Sequence, residues 1–192
     1  MSLPKVLFLG ATIGFALPTF ALANIELVTN GGFETGDFTG WTLVGNTGFT
    51  TIEPSDVASP MLTGGGSYVA AFGNVGSLGG ISQTLATVPG QDYTLSFWLF
   101  NQGGIPNSYQ VDWAGNTVDV QTDLGAFGWT HFSYSVLGTG TDSTTLTFQF
   151  QNDPSYYLLD NVSVMAPEPG VYAVLALGLA GLIIAVRRRK IA

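Results

Sequence analysis

Of the thirteen Asp and Glu residues in this 192-residue chain, all but Glu168 lie between residues 24 and 166, whereas the five Lys and Arg are Lys5 and the run Arg187–Lys190. A carboxylate that turns inward in the middle segment therefore meets no cationic side chain and must take backbone N–H groups, a proton or a metal ion. Asp160 is placed to be such a group. Period-two alternation in the last strand puts it on one face with Leu158, Val162 and Val164, the apolar face. A second set of residues has the chemistry to hold a sugar, which stacks on aromatic faces and is oriented by carboxylates and amides. The candidates are Trp98, Tyr109, Trp113 and Tyr134, with Asn101, Gln110, Asp112 and Gln149 as polar partners. Catalysis has less to draw on. His131 is the only histidine, cysteine is absent, and no nucleophile elbow occurs, so no enzyme is expected. Alternation puts His131 on the face of Ser133 and Ser135, an ordinary exposed strand position.

The acidic middle segment excludes a nucleic-acid partner, because binding to phosphates depends on cationic neutralisation. Without cysteine it contains no disulfide, zinc–thiolate site or thiol nucleophile. Residues 24–166 suffice for one domain. Short alternating segments rich in Thr, Val, Tyr, Phe and Trp, parted by Gly, Asn, Asp and Pro, predict an all-β fold, a jelly-roll sandwich of two antiparallel sheets. The expected strands are 25–28, 41–44, 49–53, 67–73, 80–86, 93–101, 109–113, 117–122, 130–137, 144–151 and 157–165. Tyr93, Leu95, Phe97 and Leu99 share one face, as do Leu146, Phe148 and Phe150.

Both ends of the chain carry sorting features. Lys5, the apolar run Val6 to Leu17 and Ala21-Leu22-Ala23 form a secretory signal over 1–23, with cleavage before Asn24. The uncharged run from Gly170 to Val186 would span about 26 Å as a helix, and snorkelling by the flanking bases brings it to the thickness of a bilayer core. The basic cluster stays on the cytoplasmic side, leaving the domain outside. Pro167, Glu168 and Pro169, the helix from 171 to 186 and the terminal Arg187, Arg188, Arg189 and Lys190 resemble the PEP-CTERM sorting signal of Gram-negative bacteria. That resemblance, over 167–192, implies recognition by an exosortase, a membrane protease, with transient anchorage in the inner membrane and release toward the cell surface or its exopolysaccharide. Gly170, where Ser or Thr often follows, departs from the pattern.

The domain has a resemblance of its own. Asn30-Gly-Gly-Phe-Glu-Thr-Gly-Asp-Phe-Thr-Gly-Trp41, Val88-Pro-Gly-Gln-Asp-Tyr-Thr-Leu-Ser-Phe-Trp98, Trp129-Thr-His-Phe132 and Tyr157-Leu-Leu-Asp-Asn-Val-Ser-Val164 are similar to carbohydrate-binding-module-like jelly rolls of the galactose-binding-domain type. The resemblance implies core positions for Trp41 and Trp129. It also implies a structural Ca2+ tying the first strand to the last through Glu34 and Asp160, with backbone carbonyls near Asn30 to Gly32 completing the shell. Calcium suits such a site, being a hard cation that takes about six to eight oxygens. Capping of a turn by Asp160 and a solvated Glu34 are the alternative. The expected function is a non-catalytic module associated with polysaccharide or biofilm matrix at the cell surface. The alternative is a structural protein that self-associates into a coat or filament without a glycan ligand.

Overall fold

A computed structural model describes residues 25–54, 66–140, 144–166 and 178. The secretory signal expected at 1–23 and, residue 178 apart, the sorting signal expected at 167–192 lie outside them. Among the described residues ten strands form: β1 Thr42–Gly45, β2 Thr50–Pro54, β3 Tyr68–Phe72, β4 Gly79–Leu85, β5 Asp92–Asn101, β6 Asn107–Trp113, β7 Asn116–Thr122, β8 Phe127–Leu137, β9 Thr144–Asn152 and β10 Tyr157–Met165. They pair antiparallel in two five-stranded sheets, ordered β1-β4-β9-β6-β7 and β2-β3-β10-β5-β8. Among the described residues no helix is long and apolar enough to cross a membrane.

Local chemistry explains several of the boundaries. The β6–β7 hairpin closes through Ala114 and Gly115, both at positive φ (51° and 78°), with Trp113 paired to Asn116. This is the primed two-residue turn whose twist matches that of the flanking strands. The expected strand at 25–28 reduces to a bridge between Glu26 and Met165. Here Glu26 Oε1 accepts the Val28 and Val164 N–H groups (2.8 and 2.9 Å), so a side chain occupies donors that a longer ladder would have used.

The core lies between the sheets, where period two delivers it. Tyr93, Leu95, Phe97 and Leu99 of β5 face Tyr109, Val111 and Trp113 of β6 and Leu146, Phe148 and Phe150 of β9, all buried. Phe97 meets Phe148 edge-on, with centroids 5.0 Å apart at 83°, and Phe72 stacks on Phe150 at 4.4 Å. Such ring pairs contribute beyond their buried area. Trp41 joins this core against Phe148 at 6.3 Å, as expected. Trp129 does not. It packs against Phe100 on the outer side of the second sheet, beside a smaller cluster of Val69, Ala71 and Leu158.

β10 corrects the alternation reading. Its pairing with β5 shifts between Asp160 and Ser163, and Asn161 sits at φ 49°. Tyr157 and Leu159 point into the main core before this bulge, and Val162 and Val164 after it. Leu158, two positions from Asp160, belongs to the outer cluster, so Asp160 does not share a face with Val162 and Val164.

Replacing Phe148 by Ala is expected to cost about 3–5 kcal/mol in urea unfolding. Thr84→Ala, on the exposed side of neighbouring β4, should stay within about 0.5 kcal/mol.

Candidate functional site

Asp160 is buried, with 1% of its surface exposed, although it lies on the outer side of its sheet. What covers it is the loop over residues 30–37, which bends across β10. Val162 donates to the Gly31 carbonyl at 2.9 Å, and a Cβ on Gly31 would fall 1.9 Å from the Val162 oxygen, so only glycine permits the approach. A Cβ on the next residue, Gly32, would lie 3.8 Å from Asp160 Oδ1, 3.5 Å from Asn161 Oδ1 and 3.7 Å from Glu34 Cγ. These three side chains thus gather around one glycine. Asp160 Oδ1 accepts the Asn161 N–H at 2.7 Å. The Glu34 oxygens accept the Ser67 and Tyr68 N–H groups at 2.9 and 3.2 Å, joining the loop to β3.

Asn30 has another role than the one expected of it. Its amide donates to Thr35 Oγ1 and to the Asp37 and Thr39 carbonyls, and its own carbonyl accepts Trp41 Nε1 and the Phe33 N–H. Asn30 is therefore the internal brace of the loop. Asn161 brings its side-chain oxygen to Gly32, and its signal in the sequence is an Asn inside a strand, since Asn tolerates the left-handed region that a bulge demands. Among the described residues no three His, Cys, Asp or Glu side chains cluster as metal ligands. An ion here would rest on the Asp160 carboxylate with amide and backbone oxygens, since the Glu34 oxygens turn to the Ser67 and Tyr68 N–H groups and only its Cγ lies beside Gly32. That donor set fits a hard cation rather than zinc.

The other candidates separate. Trp113 is 5% exposed and donates through Nε1 to the Leu137 carbonyl at 2.6 Å, so it is a core residue with no face for a ligand. Asp112 lies on the outer side of the first sheet, accepting from Gln110 and Thr117. Gln149 pairs in register with Gln110 there. Trp98 is half-buried on the outer side of the other sheet, against the His131 ring at 5.1 Å. Asn101 is wholly buried and holds the Leu124 and Gly125 carbonyls.

Tyr109 and Tyr134 alone converge, and they do so in a groove of about 530 Å³ between the free edges of the two sheets. β7 contributes Asp119 and Gln121, and β8 contributes Phe127, Thr130, Phe132 and Tyr134. Leu124 closes one end, held by Asn107, which accepts its N–H at 3.1 Å and donates to its carbonyl at 2.8 Å. At the centre both tyrosine hydroxyls donate to Asp119 Oδ2, Tyr109 at 2.6 Å and Tyr134 at 2.7 Å, while Gln121 donates to Oδ1 at 2.9 Å. Burial, and then the hydrogen bond to the Asp119 anion, raises both phenols above the usual tyrosine range. For Asp119, burial opposes ionisation, but the bonds from Tyr109, Gln121, Tyr134 and the Val120 backbone together outweigh it and hold the carboxyl below the usual range. The sequence carried a trace of this groove in Phe132 and Tyr134, which alternate inward on β8. Asp119 carried none, because only the packing of one sheet edge over the other turns it toward the tyrosines.

No known family model matches the chain, and no curated protein matches it. Solved structures do. The enzymatically active domain of bacteriophage CBA120 tailspike protein 4 superposes with a TM-score of 0.56 at 18% identity, over 74% of this chain and 22% of the tailspike chain. The CBM22-1 xylan-binding domain of Paenibacillus barcinonensis Xyn10C gives 0.51 at 16% identity, over 78% of this chain and 99% of that domain. TmCBM61, solved with β-1,4-galactotriose, gives 0.50 at 17%, over 74% and 99%. The chain spans about a fifth of the tailspike but nearly all of the two modules. At these identities the likeness defines the fold, a jelly-roll β-sandwich of the carbohydrate-binding-module type.

Because the folded pKa of Asp119 is lowered, its stabilising effect is complete above the unfolded value near 3.9 and is lost as pH falls through the folded one. Asp119→Asn should cost about 1 kcal/mol at neutral pH, a charged hydrogen bond discounted for solvent screening. In urea unfolding the gap from the unsubstituted protein should narrow below about pH 4.

Proposed function

We infer that this chain is an exported, non-catalytic glycan-binding module. The observation that carries the reading is the groove between β7 and β8, where aromatic rings flank a fixed carboxylate and amide, the surface that sugar recognition uses. The saccharides named for the two similar modules, a bound galactotriose for one and xylan as the ligand of the other, agree with it. The tail from Pro167 to Lys190 adds a destination. Through its resemblance to the PEP-CTERM signal, it assigns the protein to an exosortase and then to the cell surface or the exopolysaccharide matrix.

Calcium has a structural part in this reading. Asp160 and the Asn161 oxygen beside Gly32 would hold the ion and lock the loop 30–37 onto β10, while Glu34 ties that loop to β3. The competing reading, self-assembly into a coat or filament, draws on apolar side chains at the sheet edges, such as Val120 of β7 (53% exposed).

A glycan array run with and without chelator separates the two. The module reading expects binding to at least one polysaccharide, weakened at least about tenfold by Tyr134→Ala, a loss of about 1.4 kcal/mol. Binding to no glycan, with calcium-dependent oligomers in sedimentation, would decide for self-assembly. For the ion, added calcium should raise the melting temperature, and Asp160→Ala should abolish that rise. A melting temperature indifferent to chelator would rule it out.

A further inference from the structure

The hydrogen-bond inventory of the groove is one-sided. Both phenolic hydrogens go to Asp119 Oδ2, one amide hydrogen of Gln121 goes to Oδ1, and Thr130 Oγ1 donates to the Gly128 carbonyl. Of the side-chain donors lining the groove, only the second amide hydrogen of Gln121 is left for a visitor. What the groove presents is electron-rich: the Tyr134 phenol oxygen, an ionised carboxylate, and the rings of Phe127 and Phe132 with their negative π faces. A molecule seated here must bring hydrogens and gains by bringing positive charge. A neutral sugar brings hydroxyl hydrogens, but its own oxygens need donors that these side chains have already committed. A uronate or sulfate meets Asp119 as a like charge.

We propose that the groove between β7 and β8 selects an amino sugar with a free ammonium group, which donates to Asp119 and the Tyr134 phenol oxygen while resting against the Phe127, Phe132 and Tyr134 rings. This rests on the groove being the glycan site and specifies the class of glycan. An ammonium over an aromatic face beside a carboxylate combines cation–π attraction with a charge-assisted hydrogen bond. The rest of the domain supports the choice. Between residues 24 and 166 there is no Lys or Arg to fill the groove from within, and the surrounding field is anionic throughout. Its depressed pKa keeps Asp119 ionised under conditions where an amine is protonated.

The test is calorimetric titration of the full chain in mild detergent, at about pH 6 and moderate salt, with three short oligosaccharides. These are a glucosamine trimer, its fully N-acetylated counterpart and a neutral xylose trimer. The amine trimer is expected to bind about tenfold or more tightly than either of the others. Asp119→Asn should erase that preference, and Glu53→Gln, which removes one charge from exposed β2, should leave it intact. If the acetylated or neutral trimer binds as well as the amine and Tyr134→Ala abolishes it, the preference is overturned while the glycan-module reading stands. Equal losses in Asp119→Asn and Glu53→Gln would reduce the effect to overall charge and overturn it too. Should Asp119→Asn fail to fold by circular dichroism, the amine-to-acetyl ratio on the unsubstituted chain still decides. Failure of every trimer and every arrayed polysaccharide to bind would overturn both readings.

Discussion

The structure depends on how carboxylates are accommodated where no cationic side chain exists. Pairing with Lys or Arg is closed to the domain, so local dipoles take its place. Glu26 accepts two backbone N–H groups and the Ser163 hydroxyl, Glu34 accepts two N–H groups at the start of β3, and Asp119 is held by two phenols and an amide. Asp37 is served by Thr35 and Thr39, whose hydrogen bonds hold its carboxyl below the usual range although it lies in solvent. Glu26, Glu34 and Asp119 thereby become junctions between separate segments, while Asp37 braces its own loop. In an ordinary domain an Arg or Lys could make many of these joints. Here each joint fixes a backbone segment, which is why acids and loop geometry cannot be considered apart.

This constraint links the two candidate sites. At one, a glycine-rich loop lies over β10 with Asp160 and Asn161 beneath Gly32, and Glu34 ties that loop to the start of β3. At the other, Asp119 joins Tyr109 of the first sheet to Tyr134 of the second. The same chemistry thus fastens a loop to a sheet and one sheet to another.

Most of the architecture was legible in the sequence, because strands in a sandwich obey a strict period of two and are punctuated by turn residues. The inward faces of β5 and β9 followed directly from Tyr93 to Leu99 and Leu146 to Phe150. The face of Asp160 did not follow, since one extra residue at Asn161 reverses the phase and leaves no mark in the hydrophobic pattern. Among the aromatic candidates, composition identifies rings that could stack on a sugar, but not which of them the second sheet covers. Trp113 and Tyr109 share one face of β6 and both are enclosed, yet Tyr109 also lines the groove that β7 and β8 border. A site made where two sheet edges meet is a property of the packing, and no single segment encodes it.

The position of the Asp119 clasp has a mechanical meaning. It closes the open side of the sandwich, tying a tyrosine of one sheet and a tyrosine of the other to a single oxygen. A load that pries the sheets apart along this side meets this seam, and a ligand lodged there would sit in it. A bound saccharide would touch both sheets at once and act as a staple, so that holding on to a matrix and resisting being pulled open become one and the same event.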